Sequence, residues 1–288
     1  MWTLTCDPGI DDAVALAALA GRRRDPDLAA VVAGAGNVPV PVAWRNAAGL
    51  VALLGLDVPV GAGSPRALSG AAIARGPSSH GPDGLGGLAD RLPPVGDPPA
   101  EGGALVGGDV IATGPLTDVA RALRAGRRVA RVVWMGGSAS GIDGAAAVGA
   151  EFNAAADPSA ADEVLGSAIR VGVVPVEITA QVGVRSDDVA AWRSGPAAAR
   201  LCADLVDRRR GGRWPVVLHD PVAVVAAVEP DLFRWEDRVL RCRPGGVLAA
   251  APEPRAGPPC AVAVAVDASA VRRRIVEAVA AAGRAPPG

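Results

Sequence analysis

The chain contains 288 residues, half of them hydrophobic, and its formal net charge at pH 7 is −1. All 29 basic residues are arginine, so a Walker lysine and any lysine Schiff base are excluded. The arginines are spread along the chain apart from short triplets such as 208–210 and 272–274, which we interpret as solvated helix faces or helix ends. This charge pattern predicts no nucleic-acid partner.

Hydropathy and the spacing of the cysteines indicate the cellular location of the protein. No apolar stretch approaches the ~18 residues that span a bilayer, and no basic region precedes the first aspartate. The four cysteines lie far apart without a C-x-x-C pair, so we interpret them as buried small hydrophobic residues rather than zinc ligands. We therefore expect a cytoplasmic protein with no membrane partner.

Short apolar or β-branched runs alternate with longer alanine- and leucine-rich patterns. In chain order, the predicted elements are a strand at 2–6, a helix at 12–20, a strand at 28–33, a helix at 42–54, a strand at 109–112, a helix at 116–123, a strand at 131–134, a helix at 158–165, a strand at 169–174, and helices at 220–228 and 268–282. Such alternation is typical of a parallel sheet covered on both faces. The predicted fold class is α/β: a single domain over residues 1–288, with a mostly parallel, Rossmann-like central sheet and helices on both faces.

A polar residue or a glycine lies at the end of four of the predicted strands, either directly after the strand or in the loop that follows it. These residues are Asp7, Asn37, Thr113 and Gly136. Ligands of such folds gather beyond the carboxyl ends of the strands. We therefore expect these residues on one rim of the sheet, with the active site at that rim.

Three carboxylates lie within six residues after the first predicted strand, at Asp7, Asp11 and Asp12. Like charges this close raise one another's pKa unless a cation or strong donors hold them ionised, and no basic residue precedes Arg22. A cluster of oxygen ligands suits a hard ion, Ca²⁺ or Mg²⁺, better than zinc. The alternative is that Asp11 and Asp12 only complement the N-terminal dipole of the next helix.

The two histidines lie in different contexts. His80 belongs to a glycine-rich loop at 79–87, for which the alternative is an ordinary surface loop. His219 precedes Asp220 and Pro221 at the start of a predicted helix. The alternative there is that Asp220 caps the helix while His219 packs nearby.

Taken together and in order, nine short motifs resemble the nucleoside hydrolase family, the inosine-uridine-preferring N-ribohydrolases. The resemblance runs over nearly the whole chain, and the first and last motifs are the most specific. The motifs are Cys-Asp-Pro-Gly-Ile-Asp-Asp-Ala at 6–13, Gly-Asn at 36–37, Arg-Asn-Ala at 45–47, His-Gly-Pro-Asp-Gly-Leu-Gly at 80–86, Ala-Thr-Gly-Pro-Leu-Thr at 112–117, Met-Gly-Gly at 135–137, Glu-Phe-Asn at 151–153, Asp-Pro at 157–158 and His-Asp-Pro at 219–221.

The resemblance implies a Ca²⁺ site with water completing its shell. Its protein ligands would be Asp7, Asp12, the main-chain carbonyl of Thr113 and Asp220. Carboxylates and carbonyls are the ligands that Ca²⁺ takes in proteins. Asp7 would also act as general base towards a water held by the metal.

The resemblance also implies roles around a ribonucleoside substrate. His219 would protonate the leaving base, and His80 would close over the bound nucleoside. The family further implies a homo-oligomer, a homodimer or homotetramer. The residues expected to hold the sugar by hydrogen bonds are Asp11, Asn37, Glu151 and Asn153.

Three features depart from the family pattern. Thr5 stands where the family usually has an aspartate that orients the metal carboxylates, and Ala145 stands where an asparagine commonly touches the ribose 5′ side. The chain contains no tyrosine, whereas relatives often place aromatic residues near the nucleobase. Trp214 has two open interpretations, stacking on a base or packing in the core.

The predicted function is Ca²⁺-dependent hydrolysis of the N-glycosidic bond of ribonucleosides to free base and ribose. The alternative, motivated by Thr5 and Ala145, is a catalytically weakened nucleoside- or ribose-binding protein that retains the metal site. A phosphatase-like hydrolase with Asp7 as nucleophile ranks last, because Gly9 stands where such enzymes usually need a second acid.

Overall fold

The computed structural model of the protein describes residues 1–22, 28–73, 78–98, 102–143, 149–251 and 258–283. The strands of these regions are β1 (Trp2–Cys6), β2 (Leu28–Ala33), β3 (Val60–Ala62), β4 (Gly108–Ala112), β5 (Val129–Met135), β6 (Arg170–Val174), β7 (Gly183–Val184), β8 (Val216–Val217), β9 (Phe233–Arg238), β10 (Leu240–Cys242), β11 (Leu248–Ala250) and β12 (Cys260–Val266).

The α-helices of the described regions vary from one turn to four turns. They are α1 (Ile10–Ala20), α2 (Val40–Leu53), α3 (Thr117–Arg124), α4 (Ala139–Ile142), α5 (Phe152–Ala156), α6 (Pro158–Leu165), α7 (Val176–Thr179), α8 (Ser186–Arg193), α9 (Ala197–Arg210), α10 (Asp220–Val228) and α11 (Ala268–Ala281). Short 3-10 helices add Ser78–His80, Ala89–Arg91, Gly103–Leu105 and Pro230–Leu232.

Eight strands form one sheet in the order β3-β2-β1-β4-β5-β6-β12-β9. Every neighbouring pair is parallel except the last, in which the edge strand β9 runs antiparallel to β12. Two small antiparallel pairs, β10 with β11 and β7 with β8, lie outside this sheet. The predicted α/β fold with a mostly parallel central sheet is confirmed.

The sheet separates two hydrophobic cores, because successive side chains of a strand point to opposite faces. Ile111 of β4 enters the core shared with α1, α2 and α8 to α11. Its neighbours Val110 and Ala112 enter the core shared with α3 and α6. Helices therefore cover both faces, as predicted, and both faces of the central strands are apolar.

The strand register brings three loops to one edge. Cys6 pairs with Ala33 and Thr5 with Ala112, so β1, β2 and β4 end at the same level. The bonding continues one residue further, since the Thr113 N–H donates to the Thr5 carbonyl over 2.9 Å. Residues that directly follow these strands therefore meet at the carboxyl edge of the sheet.

The sequence-based boundaries agree closely with the structure. The strands at 2–6 and 28–33 and the helices at 158–165 and 220–228 are confirmed residue for residue, and the remaining predicted elements begin and end within two residues of their observed bounds. Strands β3 and β7 to β12 and helices α4, α5 and α7 to α9 were not predicted. Strand β9 reads Phe-Arg-Trp-Glu-Asp-Arg, because an antiparallel edge strand carries charged side chains that a buried parallel strand does not.

Two expectations from composition concern burial. All four cysteines, each within the described ranges, are buried, as predicted. Within the described ranges, every helix is too short or too polar to cross a bilayer.

Candidate active site

A cavity of about 360 Å³ opens at the carboxyl edge of the sheet. This volume lies within the ~300–1,000 Å³ typical of small-ligand sites. Every site residue predicted from the sequence except Asp12 lines it: Asp7, Asp11, Asn37, His80, Thr113, Glu151, Asn153, His219 and Asp220.

Asp12 is not part of the cavity lining, and its carboxylate joins α1 to the loop after β4. Its Oδ2 accepts a hydrogen bond from the Gly9 N–H at 2.8 Å, which caps the first turn of α1. Its Oδ1 accepts from the Thr113 hydroxyl at 2.7 Å. One oxygen of Asp12 therefore caps the helix, as in the alternative interpretation of this residue, while the other oxygen contacts the loop after β4.

Asp7 is held by the loop after β2. Its Oδ2 accepts from the Asn37 N–H at 2.8 Å, and its main-chain carbonyl accepts from Asn37 Nδ2 at 3.1 Å. Asp7 itself is 1% exposed. Asn37, which is predicted to hold the sugar, thus fixes the Asp7 carboxylate through its main-chain N–H and the Asp7 carbonyl through its side-chain amide.

The buried carboxylates form a group that could hold a metal ion. Carboxylate oxygens of Asp11, Asp12 and Asp220 lie within 4.8 Å of one another. Burial, followed by the charge of Asp12, raises the pKa of Asp7 well above its ordinary value. Burial and the charge of Asp11 do the same to the pKa of Asp220, and raise that of Asp12 to about 7. The predicted ligand set had Asp7 in place of Asp11, and all four carboxylates interact.

Asp11 differs from the other three carboxylates. Burial alone would raise its pKa, but the guanidinium of Arg209 and the ring of His80 hold that pKa below its ordinary value. Arg209 Nη1 lies 3.2 Å from Asp11 Oδ1. Asp11 therefore carries its charge against a cation of the protein itself.

Two further predicted sugar-binding residues form the far wall. Asn153 Nδ2 donates to the main-chain carbonyls of Thr113 and Met135, at 2.9 and 3.0 Å. The carboxylate of Glu151 accepts from the N–H groups of Gly137, Asn153 and Ala154. Asn153 therefore fixes the Thr113 carbonyl, and its own side-chain oxygen remains for a ligand.

The two histidines are both enclosed. His80 is 5% exposed, and its Nδ1 accepts from the Ile10 N–H at 3.0 Å, so the surface-loop alternative is wrong. His219 Nδ1 lies 2.7 Å from the hydroxyl of Thr179, at the end of α7. Burial lowers the pKa of both rings, which favours their neutral form.

The loop of His80 is fastened by its own hydrogen bonds. The Asp83 carboxylate accepts from the N–H groups of Leu85, Gly87 and Ala89. The side-chain amide of Asn46, in the Arg-Asn-Ala motif of α2, donates to the Asp83 carbonyl at 2.8 Å. The motif at 45–47 thus supports the loop from below.

Arg209 and Thr179 are site residues that the sequence analysis missed. The triplet at 208–210 was interpreted as a solvated helix face or end, and it does end α9, but the Arg209 side chain is 16% exposed and lines the cavity. A signal existed, because Arg209 follows Leu205 by four residues and Val206 by three, on the buried face of α9. No comparable signal marked Thr179.

Comparison with known proteins agrees with this geometry. The family model described as inosine-uridine preferring nucleoside hydrolase matches residues 3–276. The chain belongs to this family. Its members are nucleoside hydrolases, which cleave N-glycosyl bonds, so the chain is an enzyme of that class.

Individual relatives cover most of the chain. Uridine nucleosidase 1 from Arabidopsis thaliana is 32% identical over 84% of this chain and 77% of its own length. The pyrimidine-specific ribonucleoside hydrolase RihA of Shewanella baltica is 33% identical over 81% and 79%. A solved plant nucleoside hydrolase, the PpNRh1 enzyme, has a TM-score of 0.83 at 26% identity and covers 97% of this chain and 98% of its own.

The departures from the family pattern have different outcomes in this nucleoside hydrolase. Thr5 is buried, and its hydroxyl has no hydrogen-bond partner among the described residues. Trp214 is 36% exposed beneath the guanidinium of Arg210 and lies apart from the described cavity lining, so the core interpretation is wrong. Ala145 lies outside the described residues.

Gly36 offers a test of how closely Asp7 must be placed. A Cβ at Gly36 would lie 1.9 Å from Asp7 Oδ2, so Gly36→Ala must displace that carboxylate. We expect a folded protein whose nucleoside hydrolysis, measured as ribose release, falls ~10²-fold, the effect of a displacement of about 1 Å. The matched control is Gly96→Ala, whose new Cβ would have no neighbour within 4 Å. Equal rates for the two variants would contradict the assigned importance of Asp7.

Proposed function

We propose that this nucleoside hydrolase uses Ca²⁺ to hydrolyse ribonucleosides to a free base and ribose. The observation that carries the proposal is a group of three buried carboxylates, Asp7 and Asp220 in the cavity lining and Asp12 beside Asp220. Each has a raised pKa, with burial as the largest cause. Three such groups repel one another unless a cation lies among them.

The donor set fits a calcium ion. Its candidate ligands are three carboxylates and the Thr113 carbonyl, which Asn153 holds in place. All are hard oxygen donors, and no imidazole or thiolate is among them, as Ca²⁺ requires. When bound, the ion would lower the pKa of a water molecule and attract the ribose hydroxyls.

Asp7 is the proposed general base. It would take the proton of the attacking water while the water oxygen bonds to C1′ of the ribose. The Asn37 N–H holds Asp7 Oδ2, so the carboxylate keeps one orientation. Asp11, Glu151, Asn153 and Asn37 are the proposed contacts to the sugar hydroxyls.

Breaking the N-glycosidic bond creates positive charge on the ribose ring. The Asp11 carboxylate, ionised beside Arg209, and the Glu151 carboxylate both line the cavity where that charge would develop. Negative groups there bind the transition state more tightly than the neutral substrate, which is the condition for catalysis.

His219 is the proposed acid for the leaving base. The Thr179 hydroxyl occupies its Nδ1, so Nε2 is the ring nitrogen that remains for the base. The Thr179 hydroxyl donates its proton to the Val176 carbonyl at 3.0 Å, so it accepts from the Nδ1–H of His219. A neutral ring then carries its proton on Nδ1, and Nε2 can donate to the base only when the ring is protonated. Thr179 therefore fixes the orientation of the ring.

The alternative of a binding protein without turnover is not favoured, because the family match covers the chain and both histidines line the cavity. The phosphatase-like alternative conflicts with the same match. The cytoplasmic location and the homodimer or homotetramer stay predictions.

The first prediction concerns turnover itself, with uridine as substrate because relatives are named for uridine or pyrimidine ribonucleosides. The wild-type enzyme is expected to release ribose, and Asp7→Asn to lose at least ~10²-fold in kcat, because an amide cannot accept the proton. The control Asp231→Asn changes an exposed carboxylate and should match the wild type. Absence of ribose release by the wild type from uridine and inosine would overturn the proposed function.

A second prediction concerns calcium. Chelation should abolish turnover, and Ca²⁺ should restore it and raise the melting temperature of the chelated protein. Because the pKa of Asp12 is about 7, a proton competes with the cation as the pH falls through 7, so Ca²⁺ should raise the melting temperature more at pH 8 than at pH 6. Full activity in metal-stripped enzyme would refute the role of the ion.

A third prediction concerns the sugar. If Asp11 accepts from the ribose 2′-hydroxyl, a 2′-deoxynucleoside leaves a buried carboxylate without that donor. We expect kcat/KM for 2′-deoxyuridine to be up to ~10⁴-fold below that for uridine. Both substrates are measured on one preparation, so the active fraction cancels. Similar values for the two would remove Asp11 from sugar recognition.

A further inference from the structure

Arg209 is the one lysine or arginine among the described residues that line the cavity. It lies in the last turn of α9, and its side chain is 16% exposed. The neighbouring arginines point elsewhere. Arg208 is exposed, and the Arg210 guanidinium donates to Asp207 and lies over the Trp214 ring. A permanent positive charge therefore faces the cavity from this helix end.

The contacts of Arg209 leave most of its donors available. Nη1 donates to Asp11 Oδ1 at 3.2 Å. The same Nη1 lies 3.2 Å from His80 Nε2, but His80 Nδ1 already accepts from the Ile10 N–H. The single proton of the neutral ring is then on Nε2, so this second contact joins two donors and is no hydrogen bond.

A guanidinium has five N–H donors in a planar fork. With Nη1 on Asp11, the contacts to described residues leave the donors of Nη2 and Nε without a partner. The hydrogen bond to Asp11 holds the Arg209 guanidinium beside the Asp11 carboxylate, which is proposed to bind the ribose. A ligand atom next to the sugar would meet these remaining donors.

The chemistry of the base then decides what Arg209 can recognise. A pyrimidine nucleoside has a carbonyl oxygen, O2, on the carbon next to its glycosidic nitrogen, so O2 lies close to the ribose. A purine has only a ring nitrogen or a C–H at the corresponding distance. A charged donor beside the sugar-binding carboxylate is therefore matched to O2.

We propose that Arg209 is a specificity-determining residue that donates to O2 of the leaving base and makes the enzyme prefer 2-oxopyrimidine ribonucleosides. This rests on the proposed function. As the C1′–N1 bond breaks, its electron pair passes to N1 and spreads onto O2, where the guanidinium stabilises the charge. The water oxygen bonds to C1′, one of its protons passes to Asp7, and the base anion takes a proton from Nε2 of the protonated His219 ring, which solvent then reprotonates.

The test compares three substrates in Arg209→Gln, with Arg208→Gln as the control that removes an equal charge from the exposed side of the same turn. Uridine has O2, inosine lacks it, and p-nitrophenyl riboside has a leaving group that needs no stabilisation. For Arg209→Gln we expect kcat/KM for uridine to fall ~10²-fold, in the range for loss of one charged donor to a developing anion. The other two substrates should share a much smaller loss, because the weakened hold on Asp11 affects every riboside alike, and Arg208→Gln should match the wild type on all three.

Other outcomes overturn the proposal in distinguishable ways. Equal losses on all three substrates would mean that Arg209 acts through Asp11 on the sugar, and no loss on uridine would remove it from recognition. A wild-type kcat/KM for inosine at or above that for uridine would refute the preference. Absence of wild-type hydrolysis of every nucleoside would instead refute the proposed function.

Folding is checked on the same proteins by their turnover of p-nitrophenyl riboside. If Arg209→Gln proves unfolded, Arg209→Lys decides, because lysine keeps the charge but loses the planar fork. That variant should lose at least about tenfold on uridine while its rate on p-nitrophenyl riboside is kept. Wild-type selectivity in Arg209→Lys would overturn the assigned contact.

Discussion

Repulsion among buried carboxylates is the interaction on which this site depends. Asp7, Asp12 and Asp220 come from the ends of β1, the start of α1 and the start of α10, and burial raises the pKa of each. Asp11 lies among them yet is held ionised by a cation of the protein. The motifs at 6–13 and 219–221 therefore supply one carboxylate whose charge is already balanced and three that need an external positive charge to stay ionised together.

The sequence predicted the fold because the parallel strands are continuous apolar runs and the helices between them have clear ends, as at Pro158 and Asp220. Asp7 and Thr113 could be placed at the rim because they directly follow predicted strands, whereas His80, Glu151 and His219 were expected there only through the ordered motifs of the family. It missed the charged edge strand β9, whose solvated face obscures the apolar pattern. Arg209 was predictable in principle from its spacing to Leu205, whereas the contact of Thr179 with His219 joins segments 40 residues apart and has no local signal.

Much of the polar capacity of the cavity wall is used within the protein. Asn153 donates to two main-chain carbonyls, Glu151 accepts from three N–H groups, and Asn37 holds Asp7. Each of these side chains is thereby fixed before a ligand arrives, and what remains for a sugar is the side-chain oxygen of each asparagine and the second lone pair of Glu151 Oε1. Orientation of the polar groups is thus a property of the fold, which lowers the entropy that binding must overcome.

The loop that carries His80 has a consequence for its motion. Asp83 ties three N–H groups of the loop together, Asn46 holds its backbone, and His80 itself accepts from the first turn of α1. Swinging this segment outward would break the bonds that join it to α2 and α1, from Asn46 and from the Ile10 N–H, and a buried polar group left without a partner costs ~1–3 kcal/mol. We therefore expect the open arrangement of this loop to be sparsely populated. The loop is already ordered when a nucleoside binds, because its conformational entropy was lost during folding.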